Sequence, residues 1–64
     1  MMTSIQAINI AEGFVPAQSD KEYLQAWQLL VDNGQAWKLQ GWFGRTAAAM
    51  IEDGLIRATE KNED

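Results

Sequence analysis

Residues 19–34 leave this chain the least freedom. Ser19-Asp20-Lys21-Glu22 has the pattern of a capping box, in which the Ser19 hydroxyl meets a backbone N–H and the Glu22 carboxylate reaches back. Asp20 and Glu22 also suit the positive end of a helix dipole. Tyr23, Leu24, Trp27, Leu30 and Val31 then recur at i, i+1, i+4, i+7 and i+8, which puts them on one apolar face. Asn33-Gly34 stops the run, with glycine suited to the left-handed position after a helix. An amphipathic helix bounded at both ends must bury its stripe, and a chain of 64 residues has a single domain in which to do so. Leu29 is the exception. It falls on the polar side with Glu22, Gln25 and Asp32, so it either meets another element or is an exposed contact.

The flanking segments read as helical too. Thr3 or Ser4 can cap a short helix over residues 3–12, and Gly13 can end it. Met1, Ile5, Ala7, Ile8 and Ala11 share its broad apolar side and Ile10 falls outside it, while the alternation Ile8-Asn9-Ile10 leaves a strand as the minority alternative. Pro16 disfavours helix at Val15 and separates the first two elements. Phe14 and Val15 are apolar enough to lie against the core. Residues 35–40 read as a short helical turn that carries Trp37 and Leu39 inward, after which Gly41 resets the direction. A third helix runs from Trp42 to Asp53, burying Phe43, Ala47, Met50, Ile51 and Gly54. Gly54 stops it, and Leu55 can pack back against its last turn. The expectation is an all-α, compact three-helix domain over residues 1–57, with a short extra turn around residues 35–40 and a disordered acidic tail over 58–64. The words Ala26-Trp27-Gln28-Leu29 and Ala36-Trp37-Lys38-Leu39 echo each other at a spacing that fits no repeat architecture, so the echo reads as coincidence.

Composition removes whole classes of chemistry. The chain has neither cysteine nor histidine, so it lacks thiolate sites, disulfides, the commonest zinc ligands and the commonest general base. Glu52 and Asp53 are adjacent on a helix and splay apart, as solvated helix-end acids do. Gly41-Trp42-Phe43-Gly44 lacks the Lys-Ser/Thr pair of a phosphate loop. No enzyme activity, cofactor or metal is expected. A net charge of −4, with five scattered cations, repels nucleic-acid backbones and anionic membranes. No apolar run has the length of a membrane span, and the first residues do not make a signal peptide, which points to a cytoplasmic address.

Residues 36–46 concentrate the unusual choices: two tryptophans, a phenylalanine, two glycines and an arginine. Glycine beside large aromatics suggests a close backbone approach or a sharp turn. Trp27, Trp37 and Phe43 read as core, with Gly34, Gly41, Gly44 and Gly54 as structural turns and contacts. Trp42 lies about 125° from the centre of the third helix's apolar stripe, so it is either covered by Trp37 and its loop or partly exposed. An exposed tryptophan beside an arginine is interface chemistry. Trp42, Arg45, Ala49, Lys38 and Leu29 are therefore the candidate partner-binding residues. The small side chains of Ala47, Ala48 and Ala49 would let another helix pack closely, within the monomer or across a homodimer. A helix-turn-helix reading of the last two elements would offer DNA Arg45, Ala48, Ala49 and Glu52, one cation against neighbouring acids, which is a poor groove reader.

The string Trp37-Lys38-Leu39-Gln40-Gly41-Trp42-Phe43-Gly44-Arg45-Thr46-Ala47, with Met50-Ile51-Glu52 and Gly54 after it, resembles a family of short uncharacterised proteins of tailed bacteriophages. The likeness takes in Ile10-Ala11-Glu12-Gly13-Phe14, covers most of residues 5–55 and excludes the chain after Arg57. It implies a phage origin and action in the bacterial cytoplasm, but carries no established activity. Analogy with small acidic phage proteins adds a host or phage protein as partner, with a host defence or another host process as the target. The alternatives are a small DNA-binding regulator and a structural or self-assembling phage component.

Overall fold

The computed structural model describes residues 2–59. Three helices form an all-α domain: α1 (Ser4–Glu12), α2 (Asp20–Asp32) and α3 (Gly41–Glu52), with one 3₁₀ turn, Gln35–Trp37, between the last two. Among the described residues no strand forms.

Local chemistry sets each boundary. Thr3 opens α1 with a complete capping box: its hydroxyl accepts from Gln6 N, and Gln6 Oε1 accepts from Thr3 N at 2.8 Å. Ser19 opens α2 by accepting from Glu22 N at 3.1 Å. Glu22 does reach back, but to the N–H of Gln18 at 2.6 Å, one residue before the cap. Gly13, Gly34 and Gly54 close the three helices in the left-handed region at φ 86°, 83° and 79°. After Gly34, Asn33 Oδ1 accepts from Gln35 N at 3.0 Å, so a side chain takes a bond that a helix carbonyl would otherwise receive.

The hairpin of α1 and α2 is antiparallel, and Asn33 Nδ2 ties its open end by donating to Ser4 Oγ at 2.9 Å. Ala7 and Ala26 lose all exposure, and such small side chains suit the extensive contact between α1 and α2. The buried side of α1 carries Ala7 and Ile10, while Ile5 is 71% exposed. The sequence reading had this stripe rotated. Apolar residues occur almost all round the short helix, and only the approach to α2 selects a face.

The rest of the core gathers on Trp27, which is fully buried with Leu30, Val31, Ala36, Phe43, Ala47, Met50 and Ile56. Leu24, Leu29, Leu39, Trp42 and Ile51 pack partly buried against this cluster, whereas Tyr23, expected on the buried face of α2, sits at its exposed edge. Phe14 and Val15 were expected against the core but are exposed. Both of their N–H groups bond the Asn9 carbonyl, at 2.9 and 3.2 Å, and the cap leaves both side chains outside the core. The cap after α3 does the same to Leu55. Its N–H bonds the Met50 carbonyl at 2.9 Å, yet its side chain stays exposed and Ile56 enters the core instead.

The chain remains fastened beyond Ile56. The Gln28 amide embraces the Arg57 backbone, donating to its carbonyl and accepting from its N–H, both at 2.8 Å. Thr59 Oγ1 donates to Asp32 Oδ1 at 2.8 Å. The tail expected from Ala58 thus includes a residue still bonded to α2; residues 60–64 of it lie outside the described residues.

Two stability outcomes follow. Trp27→Ala should remove about 3–5 kcal/mol, comparable to the whole stability of so small a domain, and abolish a cooperative thermal transition by circular dichroism. Gly34→Ala should keep the fold but lower its stability by about 1–2 kcal/mol in urea denaturation, because alanine resists the left-handed conformation.

Candidate interaction surface

The 3₁₀ turn decides which tryptophan meets solvent. With three residues per turn, Gln35, Ala36 and Trp37 point three ways. Ala36 is taken wholly into the core, and the adjacent Trp37 is left 51% exposed. This corrects the expectation that Trp37 would fill the core. Leu39 is partly buried as expected.

Trp42 occupies the place Trp37 was expected to fill. Its ring stacks on Phe43 at 4.0 Å between centroids and meets Trp27 edge-on at 6.2 Å. Phe43 in turn lies 5.7 Å from Trp27. These three rings form one aromatic contact linking α3 to α2. The indole Nε1–H of Trp27 has no partner inside it, a penalty of about 1–3 kcal/mol that the ring's burial must outweigh.

Neither glycine of the block makes the turn. Gly41 is the first residue of α3, and Gly41 and Gly44 both have ordinary negative φ. The change of direction falls on Gln40, which is extended at φ −59° and ψ 155° and whose side chain makes no capping bond. Gly44 is a point of close approach: a methyl group there would sit 3.6 Å from the Ala36 carbonyl oxygen and 3.6 Å from Trp37 Cε3. One turn earlier, a methyl on Gly41 would meet Arg45 Nη1 at 3.2 Å. Gly41 and Gly44 are neighbours on one helix face. The Trp37 ring thus lies against Gly44 and the Arg45 guanidinium over Gly41, both on the first turn of α3, and Lys38, next to Trp37 in the chain, is exposed.

The five candidates separate in space. Lys38, Arg45 and Ala49 are exposed; Trp42 and Leu29 pack against the core. The residue missing from that set is Trp37. Its signal in the sequence is local: Gln35, Lys38 and Gln40 surround it with polar side chains, whereas Trp42 adjoins Phe43.

The charge around this surface is one-sided. Residues 33–51 contain Lys38 and Arg45 and no acid, while all nine acids lie elsewhere in the chain. Glu52 ends α3, roughly 16 Å along the axis from Gly41 and beyond a physiological Debye length of about 8 Å. The Asp32 carboxylate already accepts from Gln28 and Thr59.

Other concave features offer less. A groove of about 500 Å³ between α1, the following loop and the start of α2 is lined by Met2, Ile10, Val15 and several amide side chains. Its carboxylate, Glu22, is occupied in capping α2. Among the described residues no three His, Cys, Asp or Glu side chains are grouped to hold a metal. No described helix is long and apolar enough to cross a membrane.

The two tryptophans of residues 36–46 should respond unequally to truncation. Trp42→Ala should cost about 2–3 kcal/mol in urea denaturation and Trp37→Ala less than about 1 kcal/mol. Gly44→Ala should be tolerated and stabilise by about 0.5–1 kcal/mol, because the added methyl meets only ordinary contacts and alanine favours helix.

No curated protein and no solved structure matches the chain. A family model does, over residues 4–63, and so extends past Arg57, where the resemblance seen in the sequence ended. The chain belongs to the family described as Domain of unknown function (DUF7417).

Proposed function

We propose that this chain is a non-enzymatic protein-interaction module, encoded by a phage and directed in the bacterial cytoplasm at a host defence or another host process. The observation that carries the interaction reading is Trp37, a large aromatic left half-exposed by a fold with very little core to spare. Tryptophan and arginine dominate the energetics of many protein interfaces. Here Trp37 packs beside Gly44 and the Arg45 guanidinium lies over Gly41, so both border the first turn of α3. Cysteine and histidine, two of the residues that enzymes often use for nucleophilic and acid–base work, are absent from the chain. The phage and host parts of the reading rest on the likeness of the tryptophan–glycine–arginine block.

The DNA-binding alternative is weaker on charge. The exposed residues of α3 include Arg45, Ala48, Ala49 and Glu52, one cation and one acid, in a chain of net charge −4.

The test is affinity capture from bacterial lysate with the wild-type chain and a Trp37→Ala, Arg45→Ala double variant, both verified as helical. A protein retained by the wild type and lost with the variant is the expected result. Equal retention by both moves the site elsewhere. Retention on duplex DNA with steep salt dependence, and no protein captured, favours the DNA-binding alternative.

A further inference from the structure

Resting on that reading, we infer that the Trp37–Lys38–Arg45 surface takes an acidic segment of a partner protein, one that presents carboxylates together with an apolar side chain. The argument begins with hydrogen-bonding capacity. Lys38 and Arg45 side chains donate and never accept, and the indole of Trp37 has only its Nε1–H. The Cε3 and Cζ3 edge of the Trp37 ring lies nearest Gly44, which leaves Nε1 on the other side of the ring. Three exposed side chains near the start of α3 thus offer donors alone, one of them on an apolar ring. Their complement is a set of acceptors, and charged acceptors make the stronger bonds.

Charge then narrows the occupant. Residues 33–51 contribute no acid of their own beside Lys38 and Arg45. A short acidic segment laid on the first turn of α3 meets those two cations, while Glu52 stays beyond the screening length. A nucleic-acid strand also presents acceptors, but its affinity depends on many clustered cations. The other three cations of this chain are dispersed among its nine acids, so an extended polyanion would be repelled beyond the surface. A second copy brings a net charge of −4 against −4, which opposes association at longer range. The Trp37 ring supplies what charge cannot, a face for one apolar side chain of the partner.

The experiment uses the full chain labelled with ¹⁵N, with the Trp37 indole signal assigned from a Trp37→Phe variant. Three probes are titrated: a short synthetic peptide with a single Glu-Glu-Leu unit, its Gln-Gln-Leu counterpart and an oligothymidine. The expected result is that the Glu peptide shifts the Trp37 indole and the Lys38 and Arg45 signals, and that the Gln peptide does not. Lys38→Gln with Arg45→Gln should weaken Glu-peptide binding about tenfold or more while leaving the helical spectrum intact. A stronger response to oligothymidine overturns the inference in favour of nucleic acid. Equal response to both peptides overturns the carboxylate requirement. Shifts at these residues that follow chain concentration rather than peptide overturn it in favour of a second copy. No response to any probe also overturns it, while the capture experiment with Trp37→Ala, Arg45→Ala still decides separately whether the surface binds protein at all.

Discussion

Burial of the Trp27 ring is the constraint on which the rest of this structure depends. It is the largest fully buried side chain, and each other part of the fold covers some of it or its neighbours. The ring sits in the middle of α2, the helix with the firmest local definition. Phe43 and Trp42 meet it from α3 with their rings, so that helix joins the core through long side chains rather than through close backbones. By contrast, α1 reaches α2 through alanine. One domain thus uses two modes of helix packing, a close small-residue contact on one side of α2 and an aromatic spacer on the other.

This arrangement explains why a tryptophan can be left outside. With Trp42 and Phe43 beside Trp27, the 3₁₀ turn between α2 and α3 places only Ala36 wholly inside. Trp37 is displaced to the rim by the residues that make the core complete. Its exposure is a consequence of packing, and its neighbours then decide its chemistry. Glycine at 41 and 44 keeps the adjoining helix surface low, and the two cations supply the only charges of the segment.

Much of this was legible in the sequence because it was local. The Ser19 cap and the glycine stops at 13, 34 and 54 mark their helices within a few residues, and each is found where the pattern placed it. What could not be read was rotation. Ile5 and Ile10 compete for the same role on α1, and nothing within the helix ranks them until Ala7 is drawn against α2. Trp37 and Trp42 compete in the same way. Helical periodicity put Trp42 off the apolar stripe of α3, but a long indole reaches back across the helix to stack on Phe43. The Gln28 grip on Arg57 is a contact across 29 positions between a polar side chain and backbone, for which neither residue type gives any signal.

That grip has a consequence for where the chain can be shortened. The α1–α2 hairpin consists of neighbouring segments, so its contacts are local in sequence. The core is not, because Ile56 belongs to it and the Arg57 backbone is held by a glutamine in the middle of α2. A chain cut before Ile56 keeps every residue of the three helices and yet loses part of the cover of the cluster around Trp27. Proteolytic trimming just past the end of α3 would therefore act on the core and not on a dispensable end.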